Sequence, residues 1–176
     1  YFKTYRFPIV IARFQNVYGP REILGAGRWR GHSSTIWRNV IPTFIWLALN
    51  KKALKLENKG ENSRDFIHVS DITMGLIQCA LKGNSGEIYN LGSGKETKIK
   101  DLANYINKFT NNKTPPILLP KRKWDNSGRR FASTDKSTNE LNFKCKVSIK
   151  SGLEDTIKWT VHNSSIIKEN ILKHKK

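Results

Sequence analysis

The chain is poor in the residues that build covalent or metal scaffolds. It has two cysteines in 176 residues, Cys79 and Cys145, which supply neither a disulfide framework nor a C-x-x-C metal pair. Methionine occurs once, at Met74. No apolar run approaches the roughly 18 residues that a membrane-spanning helix needs. The opening residues Tyr1–Arg6 lack the apolar stretch and small-residue cleavage site of a secretory signal. These absences lead to the expectation of a soluble, cytoplasmic protein. Position 1 is Tyr rather than Met, so a piece of a longer protein is expected. Acidic residues are scarce as well, 14 against 32 Lys and Arg, for a formal net charge of +18. Such a balance raises a basic nucleic-acid-binding domain as one functional class. The lysines run from Lys3 to Lys176 without gathering on one element, which argues against it.

What is present suits one ordinary domain, with 38% apolar residues to fill a core. Pro8–Phe14 (PIVIARF) is a short apolar run rich in β-branched residues and predicts a buried, parallel strand. Gly25–Ser34 is glycine-rich and basic, a loop. Apolar residues at helical spacing predict helices over Asn39–Lys51, from a Ser70 cap to Leu81, over Ile99–Phe109, and over Ser151–His162. Leu54–Glu57, Phe66–Val69 and Glu87–Leu91 read as strands, and Pro115–Leu119 as extended chain. A short helix is expected over Lys136–Leu141, and a frayed one in the lysine-rich tail after Asn163. Strands alternating with helices make the class α/β, where ligands gather at strand ends.

Four separated segments carry a further signal: RFQNVYGPR (Arg13–Arg21), NSRDFIHVSDI (Asn62–Ile72), GEIYNLGSG (Gly86–Gly94) and GLEDTIKW (Gly152–Trp159). In their order and spacing they resemble the extended short-chain dehydrogenase/reductases that act on nucleotide sugars, the NAD-dependent epimerases and dehydratases. The resemblance implies the C-terminal part of a Rossmann-type NAD(P)-binding fold plus the smaller, mixed α/β substrate-binding domain. That family carries a Gly-rich dinucleotide loop and a Tyr-x-x-x-Lys pair. No tyrosine here is followed by Lys four positions on, and neither Gly25-Ala26-Gly27 nor Gly92-Ser93-Gly94 continues as G-x-G-x-x-G. Residues 1–176 therefore resemble the substrate-binding half, with the N-terminal dinucleotide-binding part absent. No residue of this chain is assigned a catalytic role, and the chain alone is expected to be inactive.

A nucleotide diphosphate-sugar asks for forked cations at its phosphates, amides or carboxylates at its hydroxyls, and apolar walls at its base. By resemblance Asn16 contacts the sugar or a phosphate, and Phe14 and Gln15 lie near the nicotinamide end of NAD. Asn16 could instead cap the turn to Gly19-Pro20. Arg64 would grip the pyrophosphate, since a guanidinium gives two parallel bonds that an ammonium cannot; the alternative is a surface pair with Asp65 or Glu61. Asp65 is expected to accept backbone N–H groups. Arg122 and Asp125 resemble a loop motif for a phosphate and the ribose hydroxyls, although Trp124 stands where the family usually has Gly. Arg129 or Arg130 could take the phosphate instead. Leu54 and Leu56 would wall the base or simply be core. Asn39 and Val40 open a helix whose N-terminus would face the phosphates. The basic loop Ile23–Trp37 could close over the substrate or be a surface insert. His32 reads as solvated and His68 as structural.

The functional expectation is a part of an NAD-dependent, UDP-glucose 4-epimerase-like epimerase or dehydratase that recognises the nucleotide sugar. Family members usually dimerise, so a homodimer is implied for the complete enzyme. The alternative classes are a non-catalytic nucleotide-sugar-binding module and the basic nucleic-acid-binding domain.

Overall fold

The computed structural model describes residues 1–22, 39–123 and 128–173. After a four-residue helix α1 (Phe2–Tyr5), the apolar run becomes strand β1 (Ile11–Phe14), and one residue later the chain resumes as β2 (Asn16–Tyr18). β1 runs parallel to β6 (Ile88–Leu91) and β2 parallel to β5 (Phe66–His68), with Asn16 opposite Phe66. Helix α3 (Val69–Lys82) makes the connection between β5 and β6 and packs against β1, β2, β5 and β6. Its inward residues Ile72 and Cys79 join Ile67, Leu91, Leu141 and Phe143 in one buried cluster. This is a Rossmann-type α/β arrangement.

A second cluster lies between helices α2 (Val40–Leu49), α4 (Ile99–Phe109) and α6 (Ile149–His162). Ile45, Leu54, Leu102, Ile106 and Leu153 are among its fully buried members. Leu102, Ala103 and Ile106 recur at helical spacing on α4, so one stripe is buried while Lys100, Asn104 and Lys108 stay out of the core. Short strands frame this half. β3 (Lys55–Leu56) runs parallel to β8 (Ile117–Leu118). β4 (Ser63–Arg64) lies between antiparallel β7 (Thr97–Lys98) and parallel β9 (Arg129–Arg130). α5 (Asp135–Leu141) and α7 (Ser164–Lys173) complete the described elements. Among the described residues, no helix is long and apolar enough to cross a membrane.

Two expectations need correction. β1 is parallel but not buried: Ile11 is 45% and Phe14 48% exposed. β6 pairs one edge and α3 packs against the strand, and the described residues leave the side chains of Ile11 and Phe14 without a covering layer. The cap of α3 is His68 rather than Ser70, because the imidazole Nδ1 accepts the Ser70 N–H at 3.4 Å and contacts Ser70 Oγ at 2.8 Å. The loop Gly25–Ser34, the wider basic segment Ile23–Trp37 with His32, and Trp124 and Asp125 lie outside the described residues.

Candidate functional site

Asp65 organises the strand ends. It is fully buried in the stretch between β4 and β5, and its carboxylate accepts the N–H groups of Ser93 (2.8 Å), Gly94 (3.0 Å) and Ala132 (3.3 Å) and the Ser93 hydroxyl. The loop after β6 is thereby fastened to the start of β5. A buried carboxylate is tolerated because its lone pairs are filled in this way.

The junction of β1 and β2 leans on the same residue. Asn16 donates both its backbone N–H and its side-chain Nδ2 to the Asp65 carbonyl, each at 3.0 Å. Its amide is thus tied to β5 rather than capping the Gly19-Pro20 turn. Gln15 donates its N–H to the Leu91 carbonyl at 3.0 Å. The Phe14 ring is half exposed at the C-terminal end of β1.

Arg64 follows directly from this frame. β4 sets it opposite Thr97 on one side and Arg130 on the other. Its Nη1 donates to the carbonyls of Ser63 (2.7 Å) and Gly128 (3.2 Å). Glu61, one expected surface partner, is engaged by Lys98 and Lys100 at 3.0 and 2.7 Å. Arg129 holds Glu96 in a forked pair, with Nε–Oε1 at 2.8 Å and Nη2–Oε2 at 2.7 Å, and Ser63 Oγ also bonds Glu96. That pairing, led by Arg129, lowers the Glu96 carboxyl to about 2. β4 and β9 therefore bring Arg64, Arg129 and Arg130 to one small sheet, where Glu96 occupies Arg129.

Arg122 stands further along the same path. Its Nη2 lies 2.9 Å from Glu57 Oε1, and Glu57 follows Leu56 at the end of β3. Leu54 and Leu56 are core residues, and their carbonyls already accept the N–H groups of Ile117 (2.8 Å) and Leu119 (2.9 Å). Asn39 caps α2, and its side chain bonds Glu22. Burial raises the Glu22 pKa, partly offset by the Asn39 bond. The start of α2, with Val40 as its first residue, thus already has a carboxyl group beside it.

Sequence reasoning missed a buried cluster behind these strands. Tyr18, at the end of β2, is edge-on to Phe66 and to His68, and its hydroxyl has no hydrogen-bond partner among the described residues. Burial first, then Cys145 and Asp71, raise its pKa. His68 Nε2 lies 3.4 Å from Asp155 without hydrogen-bond geometry. Asp71 Oδ2 accepts Val147 N–H (2.9 Å), Lys146 N–H (3.1 Å) and Cys145 Sγ (3.2 Å), anchoring the segment before α6. Only the place of Asp71 in the first turn of α3 was a possible signal.

Fold and strand-end residues together define a Rossmann-type α/β protein with a polar, cation-rich rim. The family model described as the NAD dependent epimerase/dehydratase family matches residues 1–92, more than half of the chain, and the chain belongs to that family. Among solved structures, the Bordetella bronchiseptica enzyme WbmF in complex with NAD+ and UDP is 55% identical with a TM-score of 0.88, covering 98% of this chain and 52% of that one. Epimerase Mth375 from Methanothermobacter thermautotrophicus is 36% identical with a TM-score of 0.85, covering 96% and 47%. The dTDP-glucose 4,6-dehydratase of Escherichia coli is 29% identical over 181 residues, covering 96% of this chain and 45% of the relative. The chain spans about half the length of these three relatives and less than a quarter of others.

Proposed function

We propose that this chain supplies nucleotide-sugar recognition to an NAD-dependent epimerase or dehydratase of the UDP-glucose 4-epimerase type. The observation that carries the reading is the pairing of Asn16 with Asp65, which sets an amide at the start of β2 within two residues of Arg64 on β4. Arg64 binds the diphosphate, joined by Arg122 or by Arg130 of β9. A guanidinium suits this because it meets two phosphate oxygens at once. Asn16 positions the sugar, and Asp125 takes the ribose hydroxyls. The β3 backbone beside Leu54 and Leu56 borders the base, while Asn39 and Val40 present the start of α2. Glu57 and Glu22 are the carboxyl groups that a phosphate displaces or that a hydroxyl meets. The 55% identity to WbmF, solved with NAD+ and UDP, supports the substrate class.

The cofactor fits this chain at one end only. The half-exposed Phe14 ring beside Gln15 can border a nicotinamide, whereas the sequence holds no G-x-G-x-x-G loop for its pyrophosphate. When bound, NAD supplies hydride transfer at a sugar carbon. The residues here bind and orient the sugar nucleotide, and the catalytic Tyr-x-x-x-Lys pair belongs to a dinucleotide-binding half. A cytoplasmic homodimer is the expected form of the whole enzyme.

The test is calorimetric titration of UDP, dTDP and uridine into the purified chain, with UDP-glucose turnover assayed in the presence of NAD. Saturable binding of a nucleoside diphosphate, much weaker binding of uridine, and no turnover are expected. Equal affinity for UDP and uridine would overturn the diphosphate site. Turnover by this chain would overturn the division of labour.

A further inference from the structure

A cavity of about 420 Å³ opens beside the loop that follows β6, and none of Asn16, Asn39, Arg64 or Arg122 lines it. Its walls are that loop, the first half of α4, the segment leading into α6, and Phe66 of β5. The volume falls in the range of small-molecule sites, about 300–1,000 Å³.

Its chemistry is divided. Three lysines, Lys95, Lys146 and Lys150, line it, together with Asp101 and Glu96. Glu96 is already held by Arg129 and Ser63. The Lys150 ammonium stands 5.1 Å over the Tyr105 ring, so a cation and an aromatic ring already share one wall. Val147 and Ile149 add apolar surface, and α6 starts at Ile149 with Ser148 as its cap. A cation cluster beside an aromatic wall suits a ligand with an anionic head and a flat or apolar body. Asp101 adds an acceptor for a hydroxyl on that body.

We infer that this cavity binds a small organic anion, its carboxylate or phosphate held by Lys95, Lys146 and Lys150 and its body against Tyr105, at a site separate from that of the nucleotide sugar. The inference does not rest on the proposed nucleotide site, because the two share none of the residues tested below.

The experiment is titration of the isotopically labelled chain with phenyl phosphate, benzoate and benzyl alcohol, following the backbone amides of Lys95–Thr97 and Val147–Lys150. Phenyl phosphate or benzoate should shift these amides saturably, the tighter of the two naming the head group, while benzyl alcohol leaves them unmoved. The double variant Lys146→Gln/Lys150→Gln should weaken binding by about tenfold or more, and Tyr105→Leu should weaken it with the charges intact. UDP, added second, should leave phenyl phosphate bound. The inference is overturned if neither aromatic anion gives a saturable shift up to about 10 mM. It is equally overturned if the double variant binds as the parent does, if benzyl alcohol gives the same shifts, or if UDP displaces the probe. Failure of UDP to bind at all would count against the nucleotide site and leave this one standing.

Discussion

Asp65 Oδ2 lies where a side chain on Gly92 would begin: a Cβ there would be 2.6 Å from the carboxylate oxygen and 2.7 Å from Gln15 Cγ. Only a glycine lets the loop after β6 come close enough to donate Ser93 and Gly94 N–H groups to Asp65. Gly92→Ala should therefore destabilise the chain by about 1–3 kcal/mol, the scale of overpacking in a dense interior. Asp65→Ala should cost at least as much, since it strands buried N–H donors at about 1–3 kcal/mol each. Urea unfolding of the two variants checks both values. A Gly92→Ala midpoint equal to the parent's would mean that the loop is not held as described.

Tyr18 and Gly152 give a second, coupled test. A Cβ on Gly152 would overlap Tyr18 Oη, a hydroxyl that has no hydrogen-bond partner among the described residues. Tyr18→Phe should be neutral or mildly stabilising, because it removes a buried polar atom whose bond was never made. Gly152→Ala alone should cost roughly 1–3 kcal/mol. Together the pair should cost less than the sum of the single changes, since Phe leaves space for the new methyl. The rescue should be partial, because Tyr18 Cζ would still lie 2.9 Å away. Strict additivity in the double-mutant cycle would contradict the contact.

Cys145 predicts a pH dependence. Burial, the bond to Asp71 and that residue's negative charge push the thiol from 9.0 up to about 12. Between those values the unfolded thiol loses its proton while the folded one keeps it, so unfolding gains from rising pH. The contribution is fully present below about pH 9 and is lost as pH climbs toward about 12. Tyr18, also raised by burial, adds a loss in the same direction at higher pH. Urea midpoints measured from neutral to alkaline pH should fall more steeply for the parent than for Cys145→Ser. Equal slopes would contradict the raised pKa of this half-buried thiol.

Much of this fold was written in local pattern. α4 runs over the residues its apolar spacing marks, Ile99–Phe109, and Asp65 accepts backbone N–H groups, as a carboxylate at a strand start should. What escaped depends on partners distant in the chain. β4, β7 and β9 are two-residue strands that exist because Ser63 and Arg64 find Lys98, Thr97, Arg129 and Arg130. No local periodicity can mark a strand that short. PIVIARF announces a strand but not which layers cover its faces, so the run overstates the burial of β1. Leu54 and Leu56 look alike as core or as binding wall in sequence, and only their burial separates the two. The forked hold of Arg129 on Glu96 was equally invisible, though it decides which nearby cation is already engaged.

Arg64 carries the central claim, and UDP affinity tests it most directly. The comparison is calorimetric titration of UDP into the parent chain, Arg64→Ala and Arg64→Lys under identical salt. Arg64→Ala should lose about 1.5–3 kcal/mol of binding free energy, the scale of hydrogen bonds to a charged group. Arg64→Lys should recover part of that loss, keeping the charge but not the fork. If Arg64→Ala binds UDP as tightly as the parent, the diphosphate does not lie on β4 and the proposed site is wrong.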